Sequence, residues 1–264
     1  MIPRVLSIAS SDSGGGAGIQ ADLKAIARCG AHGMTAIAAL TAQNTVGVTA
    51  IHVAPPEFVA EQIRVVLDDI GADAAKTGML FSAPVIEAVA DELAGRTAGR
   101  GLPLVVDPVM VASSGARLLE KDAVDALTGR LFPLAAVITP NLMEAQALTG
   151  LDTEDRALLA RRLVTMGAAA ALVTGGHGAD PVDHLYDGKT HHPIPVERHP
   201  VAATHGAGCT HSAALASGLA AGLSLPDAAR QASAIASSAV AHGLPSLGHG
   251  DGPVSAFPFA GFCE

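Results

Sequence analysis

Aromatic side chains are nearly missing from this chain: six Phe and one Tyr stand among 264 residues, and there is no Trp. The hydrophobic share is still 49%, ample for a buried core, which must therefore be built from Ala, Val, Leu and Ile. Positive charge is scarce as well. Sixteen Lys and Arg against 25 Asp and Glu leave a formal net charge of −9, which argues against a nucleic-acid partner or an anionic membrane surface. The lysines are Lys24, Lys76, Lys121 and Lys189. Cys29, Cys209 and Cys263 are far apart and odd in number, which indicates neither a disulfide framework nor a zinc site. No apolar run reaches transmembrane length, and Met1-Ile2-Pro3-Arg4 leads straight into a strand-like run rather than through a signal peptide. The expectation is a soluble, cytoplasmic protein with no membrane partner.

What the chain does have is a chemical turn, Thr204-His205-Gly206-Ala207-Gly208-Cys209-Thr210. Two glycines bracket an alanine, so the backbone can turn tightly and aim its N–H groups one way. Residues 211–220 read as a helix, which places the turn at a helix N-terminus, where unpaired N–H groups and the positive dipole end favour an anion. Cys209 falls in the first helical turn, a setting that lowers a thiol's pKa and favours the thiolate. An anion site with an ionisable side chain at its lip suits transfer of a phosphoryl or acyl group. A plain turn holding a small buried cysteine fits the same residues.

The rest of the chain alternates. Residues 5–9 predict a buried strand, followed by a glycine-rich loop to Gly18 and a helix over 19–28, the opening of a βαβ unit. No Gly-Lys-Ser/Thr follows, so this is not a Walker A loop. The glycines let the backbone approach a ligand, with the carboxylates of Asp12 and Asp22 nearby, or they serve a structural turn. Further strands are predicted over 34–40, 104–106, 136–138 and 169–174, a short strand and turn over 74–80, and helices over 56–70, 84–94, 155–166 and 225–242. Polar clusters follow the strands. Gln43 and Asn44 can face a heterocycle or cap a turn. Asp107 ends an apolar strand, and Gly175-Gly176 ends another. Asn141 and Glu144, one helical turn apart, can hold a hydrated Mg²⁺ against phosphate oxygens or form a capping box; the two readings are compatible. Residues 182–194 predict a hairpin with Asp187-Gly188 as its turn, leaving His191 and His192 as exposed strand residues. The pattern predicts one doubly wound α/β domain over 1–264: a mostly parallel sheet, helices on both faces, a small antiparallel hairpin, and functional clusters at the sheet's carboxyl edge.

In this order the clusters resemble the hydroxymethylpyrimidine and phosphomethylpyrimidine kinases of thiamin biosynthesis, within the ribokinase superfamily. The resemblance runs over nearly the whole chain. It is carried by the stretch from Ser11-Asp12-Ser13-Gly14 to Lys24, by Thr41-Ala42-Gln43-Asn44-Thr45, by Lys76-Thr77-Gly78-Met79-Leu80, and by Val106-Asp107-Pro108-Val109-Met110. The stretches Thr139 to Ala145, Thr204 to Thr210 and Gly248 to Pro253 complete it. Cys209 stands where the wider superfamily usually has an aspartate, which points to the pyrimidine kinases and to some pyridoxal kinases. The resemblance implies a ribokinase-like fold, ATP and Mg²⁺, a homodimer, and two successive phosphorylations, of 4-amino-5-hydroxymethyl-2-methylpyrimidine and then of its monophosphate. It implies Cys209 as catalytic base and Gly206, Ala207 and Gly208 as anion-hole amides. Gln43 becomes the main pyrimidine contact, with Asp22, Ala17 and Met79 lining that pocket and Asp12 beside it. Asn141, Thr174, Gly176 and Thr204 fall on the ATP and phosphate side, and Asp107 and Glu144 on the metal side. Ser10 and Ala203 depart from the family's usual Gly and Asn, and Ser113 and Thr174 stand where many members carry lysine. A pyridoxal kinase is the alternative enzyme; a heterocycle-binding regulatory protein without turnover is the alternative of another class.

Overall fold

Strand β1 (Arg4–Asp12) is buried along almost its whole length, as expected of a strand covered on both faces in a parallel sheet. The computed structural model describes residues 1–98, 101–110, 122–176, 180–201 and 203–257. After β1 come α1 (Gly18–Arg28), β2 (His32–Gln43), β3 (Val48–Val53), α2 (Pro56–Asp69), β4 (Ala74–Thr77), α3 (Ala83–Thr97) and β5 (Leu104–Val106). The second half contains α4 (Ala123–Ala126), β6 (Val137–Ile138), α5 (Leu142–Thr149), α6 (Arg156–Thr165), β7 (Ala171–Val173), β8 (Val182–Tyr186), β9 (His191–Pro195), α7 (Ala207–Ala220) and α8 (Leu225–Ala241).

The strands form one sheet in the order β3-β2-β1-β4-β5-β6-β7-β8-β9. Pairings from β2 to β7 are parallel, while β3, β8 and β9 join antiparallel. One apolar layer lies under α2, α3, α5 and α6, with Ile63, Ile86, Leu93 and Phe132 fully buried in it. The other lies under α1, α7 and α8 and is made largely of alanines. The chain leaves β1 on one side for β2 and returns on the other for β4. That reversal opens a crevice at the carboxyl ends of β1 and β4, where open α/β sheets bind ligands.

The expected α/β architecture and the hairpin are present. Strand β3 was not anticipated. The Asn44 carboxamide accepts from the N–H groups of Val46 and Gly47, an Asx-type turn that sends the chain back along β2 as an exposed edge. The β8–β9 turn is closed by Asp187, which accepts from the N–H groups of Lys189 and Thr190. His192 lies 2.8 Å from Asp187 and His191 2.6 Å from Arg161, so the adjacent histidines have separate neighbours. Helix α7 starts at Ala207, with Gly206 as its cap, earlier than the expected 211.

Without bulky aromatics, α7 and α8 pack through small residues. A Cβ on Gly218 would come within 2.9 Å of the Ala228 Cβ, and Ala228, Ala229 and Ala232 are fully buried. Ala228→Leu should therefore cost about 1–3 kcal/mol of stability, as overpacking does. Urea denaturation measures it; an unchanged midpoint would show that the two helices separate freely.

Candidate active site

Lys76 is the lone charged residue of β4, and it is fully buried. Burying an ammonium is costly unless it is paired. Its Nζ lies 2.9 and 3.0 Å from the two oxygens of Asp22 on α1 and 3.9 Å from Asp107 beyond β5. The Ser7 hydroxyl donates to Asp22 at 2.6 Å, and the Ser212 hydroxyl of α7 to Asp107 at 2.9 Å. Burial lowers the Lys76 pKa, but the carboxylates of Asp22 and Asp107 outweigh it and hold the ammonium charged. At the ends of β4 and β6, the buried hydroxyls of Thr77 and Thr139 have no partner among the described residues.

Cys209 lies in the first turn of α7, as expected, and the Gly18 N–H at the start of α1 reaches its sulfur. The expected thiolate is overturned. Desolvation, with the negative charges of Asp22 and Asp107, pushes the thiol up to about 12 against the lowering effects of Lys76 and of the Gly18 N–H. The helix end is real, but the buried carboxylates around it decide the charge. Gly206 takes a left-handed φ of 84°, and a Cβ there would fall 1.9 Å from the Gly16 carbonyl, so only glycine lets the two loops meet. The Ala207 N–H turns back to the Thr204 carbonyl at 3.0 Å. Gly208 and Cys209 then supply the first-turn N–H groups that have no partner inside the helix.

The carboxylate of Asp12 organises the glycine loop rather than facing a pocket. It accepts from the N–H groups of Gly14, Gly16 and Ala17 at 2.8, 3.0 and 2.9 Å and from His205 at 3.0 Å. Burial raises its pKa, yet those donors hold it below the ordinary value. Asp22 is likewise committed to Lys76 and Ser7. Gln43 does line a pocket of about 220 Å³, together with Asn44, Thr45, Val46, His205, Gly250 and Asp251. Met79 is buried beside the loop, and its carbonyl accepts from Ser10, the residue found in place of glycine.

On the other side of the edge, Asn141 and Glu144 form the predicted capping box at the start of α5. Asn141 is bridged to Thr174, which ends β7 beside Gly175 and the exposed Gly176. Thr204 is not with them: its N–H and hydroxyl donate to Asp251 on the pocket side. Ser113 lies outside the described residues. Burial and the charge of Asp107 push Glu144 up to about 8, and burial also raises Asp107. No group of three or more His, Cys, Asp or Glu among the described residues could by itself hold a metal. Two carboxylates whose charges oppose each other suit Mg²⁺, which is bound by one or two carboxylates plus phosphate oxygens.

Lys76 and His205 carry no assignment from sequence reasoning beyond membership of a motif. A lysine inside an apolar strand, in a chain with so few lysines, was the available signal for the first.

The carboxyl edge thus brings together a switch-point crevice, the start of α7, two acids and a small polar pocket. Residues 12–255 match the phosphomethylpyrimidine kinase family, and the chain belongs to it. It is 48% identical over 256 residues to the hydroxymethylpyrimidine/phosphomethylpyrimidine kinase of Streptomyces coelicolor, covering 96% of this chain and 93% of that one. A thiamine biosynthesis bifunctional protein of Geobacter sulfurreducens is also 48% identical, over 95% of this chain, which spans about half (51%) of that longer protein. The ADP complex of Bacillus subtilis pyridoxal kinase superposes with a TM-score of 0.87 at 36% identity, covering 97% of this chain and 98% of that one.

Two stability measurements test this electrostatic picture. Lys76→Met leaves Asp22 buried without its cation and should cost about 3–5 kcal/mol, whereas Lys76→Met with Asp22→Asn should recover most of it. A single variant as stable as the wild type would refute the buried pair. Glu144 has a native pKa above its unfolded value, so its contribution is full below about pH 4.5 and is lost as the pH rises through about 8. Between these limits wild-type stability should fall, and Glu144→Gln, which can still accept at the cap, should flatten that fall. Denaturation curves from pH 5 to 9 test it; parallel profiles would place Glu144 in water.

Proposed function

We propose that this chain transfers the γ-phosphoryl group of ATP to the hydroxymethyl oxygen of 4-amino-5-hydroxymethyl-2-methylpyrimidine, and then a second phosphoryl group to the monophosphate. What carries the reading is that the turn leading into α7, with the Gly208 and Cys209 amides just beyond it, lines the Gln43 pocket through His205. The 48% identity to the Streptomyces coelicolor kinase and the pairing of a small polar pocket with a helix start support it.

In this reading the heterocycle lies against Gln43, whose carboxamide offers both a donor and an acceptor to an aminopyrimidine. The Gly208 and Cys209 amides receive the transferred phosphoryl group, with Asn141, Thr174 and Gly176 on the nucleotide side. Asp107 and Glu144 would hold Mg²⁺, which supplies positive charge against the phosphates and against the carboxylate field on the thiol. Cys209 takes the proton of the attacking hydroxyl. Because its resting thiol is neutral, its role as base depends on positive charge that offsets the carboxylates around it. Ser113 and Thr174 bring no charge, so neutralisation rests on the metal side. A homodimer and a cytoplasmic location belong to the same reading; no helix among the described residues is long and apolar enough to cross a membrane.

The similarity to a pyridoxal kinase favours one second reading, phosphorylation of pyridoxal, whose hydroxymethyl group sits on a comparable ring. ADP release by the purified protein with each heterocycle separates the two. Cys209→Ala should lower kcat by about 10²–10⁴, the worth of a positioned base, with heterocycle binding retained. Full turnover in that variant would remove Cys209 from proton transfer.

A further inference from the structure

Where β7 ends at the carboxyl edge, the backbone of Thr174 and Gly175 is held by charged side chains on both flanks. The Thr174 N–H donates to the Pro140 carbonyl at 3.0 Å, and its carbonyl accepts from Nε of the buried Arg156, at the start of α6, at 3.3 Å. Gly175 faces the other way. Its N–H donates to Asp183 of β8 at 2.5 Å, and its carbonyl accepts from Arg198 at 3.2 Å. Asp183 is buried and also accepts from the Ser233 hydroxyl of α8 at 2.5 Å. Arg198 comes from that same side, since the nearby Val196 N–H bonds the Pro181 carbonyl just ahead of β8 at 2.8 Å. A Cβ on Gly175 would fall 2.4 Å from the Val182 carbonyl oxygen, so β8 closes against it.

A planar trans peptide points its C=O and its N–H in opposite directions. The 174–175 peptide has both ends bonded, to Arg156 on one side and to Asp183 on the other. The 175–176 peptide has only its carbonyl end bonded, to Arg198 on the β8 side. Its N–H, that of Gly176, must therefore face back toward the side of Pro140 and Asn141, where the capping box begins α5. Gly176 is exposed, its N–H has no partner among the described residues, and a Cβ there would meet nothing within 4 Å. An amide donor one peptide away from a guanidinium favours an anionic acceptor.

We propose that Arg198 is a positioning residue for nucleotide binding: by holding the Gly175 carbonyl, it keeps the Gly176 N–H turned toward a phosphate oxygen of ATP. This rests on the reading that Thr174 and Gly176 lie on the nucleotide side. Two successive glycines let the peptide between them rotate at little steric cost, so the direction of that donor is set by Arg198 and not by local sequence. A donor oriented in advance lowers the ordering cost of binding. Arg198 acts through the peptide, without touching the ligand.

The test is calorimetric titration of the purified protein with ATP and Mg²⁺, with adenosine, and with the aminopyrimidine. Arg198→Met removes the hydrogen bond at similar side-chain length. It should weaken ATP by about tenfold or more, the scale of one hydrogen bond to a charged group, and adenosine, which has no phosphate, by no more than about twofold. The aminopyrimidine should bind as in wild type. Gly176→Pro removes the N–H itself and should weaken ATP to a similar degree. Combined, the two substitutions should cost little more than either alone, because both act through one donor. Arg198→Lys keeps the charge and a single donor and should fall between wild type and Arg198→Met; it carries the same comparison of ATP with adenosine if Arg198→Met fails to fold. Equal weakening of ATP and adenosine, additive losses in the double variant, or no weakening at all overturns the inference while leaving the functional reading intact. A wild type that binds no ATP removes that reading, and this inference with it.

Discussion

Lys76 shares one buried charge between Asp22 in direct contact and Asp107 3.9 Å away, and the geometry of the carboxyl edge depends on that sharing. Each ion taken out of water costs several kcal/mol, recovered only when contacts are short and the remaining lone pairs are used. Both conditions hold here, with Ser7 supplying a further donor to Asp22 and Ser212 one to Asp107. Because the partners come from β1, α1, β4, α7 and the end of β5, the pair also ties one helical layer to the sheet at the switch point.

On that foundation two loops can meet. Gly18 opens α1 with a positive φ, and a Cβ there would fall 2.2 Å from the Ser10 carbonyl. Its N–H reaches Cys209, while one turn further along the same face of α1 Asp22 reaches Lys76, since residues four apart are stacked on a helix. Gly206 lies against the Gly16 carbonyl from the other side. The start of α1 and the start of α7 therefore point into one pit, each bringing the positive end of its dipole toward a site crowded with carboxylates.

The charge balance of that pit links structure to chemistry. Asp22 and Asp107, with Glu144 beside them, outnumber the single ammonium, so the protein at rest holds a neutral thiol and a carboxyl group at Glu144 that titrates near 8. The net charge of −9 makes the same point at the scale of the whole chain. Such an excess of negative charge attracts cations and repels anions at that edge.

Local sequence determined whatever depends on neighbours along the chain. The apolar runs at 5–9 and 104–106 became buried parallel strands, Asn141 and Glu144 became a capping box, and Asp187-Gly188 became a hairpin turn, because each needs only a few consecutive side chains and backbone angles. The alternation of strand and helix then sufficed for the α/β class, and the ordered motifs for the family. Strand β3 was hidden because an edge strand needs no buried apolar face to announce it. Tertiary structure alone decided the states of the charged groups. A helix start favours a thiolate, but the Cys209 proton responds to Asp22, Lys76 and Asp107, all more than 100 residues away in the chain. Asp12 became a loop organiser and His205 a fixed donor because they meet across 193 positions. Burial and through-space charge are properties of the packed chain, and no stretch of sequence carries them by itself.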